Sequence, residues 1–138
     1  MIELKTPKIG EAAPDFSAPS TAGELRLSNW LDGRWVIVLG YPAAFTPVSV
    51  TEFKELTGYS KQLGERNAHV LAISPDTVYS LIAFQRDLKE RFQVNVDFPL
   101  VSDTKLKIAN LYGMMHPGAS LHTPVRATYI LDPKRTVR

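Results

Sequence analysis

The sequence predicts an α/β fold built on a mixed central sheet flanked by helices, and three observations carry that expectation. Two short apolar runs, Trp35 to Leu39 and Val70 to Ile73, have the composition of strands buried on both faces. Each is followed by a longer stretch whose apolar residues recur at three and four positions, as along one side of a helix. Near the C-terminus, Arg126 to Leu131 reads as a strand that runs into the turn Asp132-Pro133-Lys134-Arg135, which sends the chain back antiparallel. The right-handed crossover rule makes the first two strands parallel.

Met1 to Ala22 contains Pro7, Pro14 and Pro19 and is expected to form an extended N-terminal segment. Thr21-Ala22-Gly23-Glu24 reads as a turn and Leu25-Arg26-Leu27 as a short alternating strand. Ser28 is placed to cap one helical turn, Asn29 to Leu31, which Asp32-Gly33 stops. After Trp35 to Leu39, a helix carries Phe53, Leu56, Tyr59 and Leu63 as its apolar stripe and ends at Gly64 or Asn67. Ser74-Pro75-Asp76 closes the next strand. Asp76 or Thr77 then caps a helix with Val78, Leu81, Ile82, Leu88 and Phe92 on its apolar side, interrupted by Gln85.

Phe98-Pro99-Leu100-Val101 is a further short strand, and its proline implies a sheet edge or a bulge. Asp103 or Thr104 caps a helix through Leu106, Ile108, Ala109 and Leu111. Tyr112 to Pro124 is a loop, and Thr136-Val137-Arg138 starts a strand that partners Arg126 to Leu131.

The 138 residues are expected to form one domain, 1–138, large enough for a sizeable core. A net charge of +2, with Lys and Arg interspersed among acids, lacks the basic stripe of a nucleic-acid binder, so no nucleic-acid partner is expected. Met1-Ile2-Glu3-Leu4-Lys5 opens polar with no secretory apolar region behind it, and no apolar run approaches membrane-spanning length. A cytoplasmic protein without membrane contact is the expectation. There is no cysteine, which excludes disulfides, thiolate metal sites and a thiol nucleophile in this chain. With only three histidines, His69, His116 and His122, no metal site is expected, and no cofactor.

Chemistry is expected at Gly40 to Phe53, where a buried strand hands over to a helix. Thr46 to Ser49 fall at the helix N-terminus, which collects unpaired backbone N–H groups and the positive end of the helix dipole. The carboxyl end of parallel strands is also where open α/β sheets bind ligands. Each residue has a plain structural reading as well. Thr46-Pro47 is a helix cap followed by a first-turn proline, Pro42 a strand terminator, Glu52 a first-turn acid that favours the dipole, and Arg126 a surface cation.

Taken together, these residues resemble the peroxiredoxin (AhpC/TSA) family. Pro42, Thr46 and Ser49, spaced as Pro-x-x-x-Thr-x-x-Ser and followed by Thr51-Glu52-Phe53, look like the family's active-site loop. Gly10-Glu11-Ala12-Ala13-Pro14-Asp15-Phe16 resembles its N-terminal segment, and Pro124 to Pro133 the strand that bears its catalytic arginine. Tyr112 to Ser120 looks like the preceding loop of the one-cysteine branch. The resemblance implies a thioredoxin fold with an N-terminal extension and a reaction in which a thiolate attacks a peroxide oxygen. It places a peroxidatic cysteine where Ser49 stands, with Thr46 holding the peroxide and Arg126 supplying a cation. Pro42 would shape the pocket, and Glu52 would orient Arg126. The implied partners are a peroxide substrate, an external thiol reductant and further copies of the chain in a homodimer or larger homo-oligomer.

Four departures qualify what is carried over. Ser49 has no counterpart of the sulfenic state, because the oxidation ladder belongs to sulfur, so no peroxidase turnover is expected. Either an engineered cysteine-to-serine exchange or natural loss of the thiol accounts for it, and the otherwise maintained motif favours the first. Tyr41 stands where one-cysteine relatives often place a histidine. Asp32 to Val36 lacks the serine of the elbow found in relatives with a second, lipase-like activity. The chain also ends at Arg138, where the family continues, so it is expected to be truncated, leaving the face of Ala127, Tyr129 and Leu131 bare and prone to association. Two other functions compete: a redox-dead binding or assembly protein, and a hydrolase using Ser49 with His116 or His122 as base and Glu52 as acid.

Overall fold

The computed structural model describes residues 6–138, so residues 1–5 of the expected extended N-terminal segment lie outside the described residues. The elements, in chain order, are β1 (Ser17–Ser20), β2 (Gly23–Arg26), α1 (Leu27–Leu31), β3 (Trp35–Gly40), α2 (Pro47–Gly58), α3 (Ser60–Glu65), β4 (Ala68–Ser74), α4 (Val78–Phe92), β5 (Leu100–Ser102), α5 (Lys107–Leu111) and β6 (Ala127–Leu131). The six strands form one sheet in the order β2-β1-β5-β4-β3-β6. β3, β4 and β5 run parallel, and β6 pairs antiparallel with β3, as does β1 with both β2 and β5. The sheet is therefore mixed, as expected.

Alternation along β3 splits the core between the two sheet faces. Val36 and Val38 pack with Leu27 and Leu31 of α1 and Ile108 and Ala109 of α5. Leu39, with Ile37 against it, faces Phe53 of α2 and Leu81, Phe84 and Leu88 of α4. Central strands covered on both sides cannot alternate with polar residues, which is why β3 and β4 read as continuous apolar runs.

Several expectations are corrected. The helix expected from Phe53 to Leu63 is two helices, α2 and α3, separated at Tyr59, whose N–H bonds back to Leu56 and Thr57 instead of continuing the ladder. Gly58 weakens the helix there, and Tyr59 is exposed instead of completing an apolar stripe. On α4, the buried residues are Leu81, Phe84 and Leu88, while Ile82 and Phe92 are exposed. Phe84, one turn from both leucines, belongs to the buried stripe. Of the two capping candidates for α4, Thr77 accepts the Ser80 N–H at 3.2 Å.

Ser17–Ser20, part of the segment expected to be extended, forms a strand that pairs with β2, and Leu27 starts α1 instead of ending the strand. Ser28 does not cap α1. Its own N–H donates to the Asp15 carboxylate at 2.9 Å, so the cap comes from outside the helix. β5 lies inside the sheet between β1 and β4, and Pro99 sits just before it, where its missing N–H breaks no ladder. Asp103 does serve α5, its carboxylate accepting from Ile108 N at 3.1 Å and Ala109 N at 2.9 Å.

The expected bare face is the opposite one. Leu131 is fully buried, and Ala127 and Tyr129 pack against the first core, with the Tyr129 hydroxyl donating to the Tyr112 carbonyl at 2.5 Å. Thr128 and Ile130 point the other way. Ile130 (47% exposed) and Trp35 (38% exposed), with Ile37, Arg66 and Ala68, line an open groove of about 240 Å³ beside the terminal strand. Among the described residues, no helix is long and apolar enough to cross a membrane.

Candidate active site

β3 ends at Gly40, and Tyr41 N donates to the Ile73 carbonyl at 3.0 Å, so the loop that follows leaves from the carboxyl end of the parallel strands. Phe45 takes a left-handed conformation, φ 63°, uncommon for a bulky side chain and costly enough that surrounding structure must impose it. Thr46 is extended (φ −91°, ψ 148°) and caps α2, with Pro47 in the first helical position, where a missing N–H costs nothing. The plain reading of Thr46-Pro47 therefore holds, and it places Ser49 in the first turn of a 12-residue helix.

Ser49 is fully buried, and its hydroxyl is the meeting point of the site. Thr46 Oγ1 accepts the Ser49 N–H at 3.2 Å and donates to Ser49 Oγ at 2.8 Å. Ser49 Oγ donates to the Ala43 carbonyl at 2.9 Å. From the residue before β6, Arg126 Nη2 donates to Ser49 Oγ at 3.4 Å, while its Nη1 pairs with Glu52 Oε2 at 2.5 Å. Both partners of that ion pair are about one-third exposed. Glu52 lies beyond the first turn of α2, which holds no acid, so a dipole effect, confined to the first turn, does not account for it. Its spacing of three from Ser49 puts both on one helix flank, within reach of one guanidinium. Pro42 is half-buried in the same loop, and no hydrogen bond joins it to the Ser49 hydroxyl.

Arg126 reaches this point because β3 and β6 are in register, Gly40 opposite Ala127. The glycine lets Met114 come close. A Cβ at position 40 would stand 2.5 Å from Met114 Sδ and 2.9 Å from its Cε.

Two groups were not assigned to the site from the sequence. Asp76 caps nothing; its Oδ2 accepts from Ala44 N at 2.8 Å and from Ser74 Oγ at 2.7 Å. The Ala43 carbonyl, invisible to any side-chain motif, accepts the hydrogen bond from the Ser49 hydroxyl. The available signal was topological: loops leaving the carboxyl ends of adjacent parallel strands lie side by side. Tyr41 is fully buried and stacks edge-on against Phe53 at 5.2 Å, and among the described residues its hydroxyl has no hydrogen-bond partner. Burial, with the nearby Asp76 carboxylate, pushes its ionisation well above the usual tyrosine range. It is not hydrogen-bonded to Ser49.

The Ser49 hydroxyl donates to a carbonyl and has a cation beside it, and among the described residues it has no general base. Its hydrogen-bond partners include neither imidazole nor carboxylate, and His116 and His122 are exposed. That arrangement does not activate a serine nucleophile. Among the described residues, no group of three or more His, Cys, Asp or Glu could hold a metal ion. A sulfur in the same place would meet a helix N-terminus and an arginine, the two features that lower a thiol pKa.

Comparison with known proteins gives consistent relatives. A family model described as the AhpC/TSA family matches residues 9–138. A peroxiredoxin of Aquifex aeolicus is 36% identical over 135 residues, covering 98% of this chain and 61% of that protein. A 1-Cys peroxiredoxin of Dictyostelium discoideum is 33% identical over 131 residues, covering 95% of this chain and 54% of that protein. The chain thus spans less than two thirds of the length of these curated relatives. Among solved structures, yeast mitochondrial 1-Cys peroxiredoxin superposes with a TM-score of 0.83 at 28% identity, covering 95% of this chain and 65% of that one. A cysteine-to-serine mutant of the peroxiredoxin 6 of Arenicola marina gives 0.85 at 27% identity, covering 95% and 62%. These neighbours carry the thioredoxin fold, and the sheet described above is its mixed, helix-flanked form.

Proposed function

The chain belongs to the AhpC/TSA family, and from that premise we propose that it is a peroxiredoxin-type thiol-peroxidase scaffold that lacks turnover while serine occupies position 49. The observation that carries this reading is the convergence of Thr46 and Arg126 on one buried side-chain atom at a helix N-terminus. With sulfur at position 49, Arg126 and the helix end would stabilise the thiolate. Thr46 would offer its hydroxyl to the peroxide, Pro42 would wall the pocket, and Glu52 would aim the guanidinium.

In the reaction, the thiolate attacks one peroxide oxygen, forming an S–O bond as the O–O bond breaks. The other oxygen leaves with a proton as water or alcohol. The resulting sulfenic acid is returned to thiol by two electrons from two external thiol groups, which are oxidised to a disulfide, with release of water. Hydrogen peroxide and alkyl hydroperoxides are the substrates assigned. The yeast relative is described as resolved via glutathione/thioredoxin systems, which makes those two the first reductants to try. A cytosolic address and a homo-oligomeric state belong to the same proposal. The uncovered groove at Trp35 and Ile130, beside the terminal strand, supports association.

Ser49→Cys is the test. The folded variant is expected to consume peroxide in the presence of a dithiol, while the unaltered chain does not. A folded Ser49→Cys protein that leaves peroxide untouched overturns the reading. A second reading, a redox-dead binding or assembly protein, draws on the settled hydrogen bonding of the Ser49 hydroxyl. It requires a stable oligomer or ligand complex that forms without redox chemistry.

A further inference from the structure

One peptide group joins Asp76 to the side chain at position 49. The N–H of Ala44 donates to Asp76 Oδ2 at 2.8 Å, and the carbonyl of the same peptide unit, that of Ala43, accepts the Ser49 hydroxyl at 2.9 Å. Because the peptide is planar and trans, its N–H and C=O point in opposite directions, so fixing one aims the other. We propose that Asp76 is a positioning residue for the side chain at 49, holding the 43–44 peptide so that its carbonyl faces that side chain and favours a proton donor there over an anion.

Asp76 is itself anchored. Ser74 Oγ donates to its carboxylate at 2.7 Å, and its carbonyl accepts from Ser102 Oγ at 2.7 Å, tying it to the carboxyl ends of β4 and β5. If the peptide turned over, the Ala43 carbonyl would face the Asp76 carboxylate and two acceptors would oppose each other. The turned peptide would aim the Ala44 N–H at residue 49, a geometry that suits a negative charge. Asp76 therefore makes the anion-stabilising orientation costly. The charges around position 49 are Arg126, which favours an anion, Glu52, which offsets Arg126 from its far side, and Asp76 behind the peptide. Tyr41, buried beside Asp76 and neutral, adds no charge.

The inference rests on the thiol-peroxidase reading for its meaning but is measured without peroxide. Thiolate ultraviolet absorbance against pH is recorded for Ser49→Cys, for Ser49→Cys with Asp76→Ala, and for Ser49→Cys with Asp76→Asn. Asparagine keeps an oxygen for the Ala44 N–H but is an uncharged and weaker acceptor, so it loosens the peptide less than alanine does. The thiol midpoint is expected to fall by at least about half a pH unit with alanine, and by less with asparagine. An unchanged or higher midpoint in a folded Asp76→Ala protein overturns the proposal. Should the alanine variant fail to fold, asparagine decides: its midpoint must fall and its Ala44 amide must exchange hydrogen faster than in the parent, and failure of either overturns the proposal. A peroxidase-dead Ser49→Cys protein that still shows the midpoint shift would sink the proposed function and leave this inference standing.

Discussion

Thr46 and Ser49 bond to each other twice, the Thr46 oxygen accepting the Ser49 N–H at 3.2 Å and its proton going to Ser49 Oγ at 2.8 Å. One hydroxyl therefore closes the helix end and orients the buried side chain. Thr46→Val keeps the shape and removes both bonds, with an expected loss of about 1 kcal/mol of stability in urea unfolding. Thr46→Ser should retain most of it. Equal stability of all three proteins would mean that the cap contributes nothing.

Arg126 serves two residues on one flank of α2, a task that suits the fixed fork of its guanidinium. In the Ser49→Cys background, Arg126→Lys should raise the thiol midpoint and slow peroxide consumption. Global stability should change by no more than about 1 kcal/mol, because the Glu52 pair is partly exposed. A lysine variant as fast as its parent would show that charge alone, without the fork, is enough.

The sheet and the place of the site were legible because they depend on features local in sequence. Val36 to Leu39 and Val70 to Ile73 announce buried parallel strands, and Thr46-Pro47 announces a helix start. Arg126 and Glu52 were legible only through their resemblance to a known loop, since no local pattern joins residues 74 positions apart. What stayed hidden depended on tertiary partners. Asp76 offers the same short carboxylate to a helix cap or to a neighbouring loop, and only the adjacency of β3 and β4 decides between them. Likewise, the side of β6 that is covered depends on which face the Tyr112 loop packs against. Tyr59 broke a plausible apolar stripe because Gly58, one residue earlier, loosens the helix.

The groove at Trp35 and Ile130 sets an expectation about assembly. Apolar side chains this exposed on a terminal strand and its neighbour favour association with another surface. Sedimentation should show concentration-dependent self-association that Ile130→Lys reduces without lowering stability. Identical sedimentation of the two proteins would remove this face from the interface.

Gly40 is expected to tolerate no side chain. The Cβ of Gly40→Ala would fall 2.5 Å from Met114 Sδ, and Met114 is almost fully buried, so the thioether has little room to withdraw. Overpacking of this kind costs about 1–3 kcal/mol. Because Gly40 pairs with Ala127, the strain would also reach Arg126. Pairing Gly40→Ala with Met114→Val, which shortens the obstructing chain, should recover part of the loss in thermal unfolding. No recovery would place the strain in the backbone instead.

His69 links stability to pH at a place remote from this chemistry. Its ring stacks on Trp30 with centroids 3.6 Å apart and planes 3° from parallel. Burial first, and then the Arg34 guanidinium, lower its pKa from 6.5 to about 4. Between those values the unfolded chain binds a proton that the folded chain refuses, so stability rises with pH across the window. The full contribution is present above about pH 6.5 and is lost as pH falls toward 4. Since the ring is only half-buried, solvent screening should hold the effect to about 1 kcal/mol. Carboxylates such as Asp15 and Asp132, whose pKa values are lowered, also lose stability on acidification, so the measurement is a difference. Unfolding free energies of the parent and His69→Gln, taken at about pH 4.5 and about pH 7, should show a smaller loss on acidification in the variant. Equal losses in the two proteins would show that His69 titrates alike in the folded and unfolded chains, and that its stack on Trp30 does not oppose the charge.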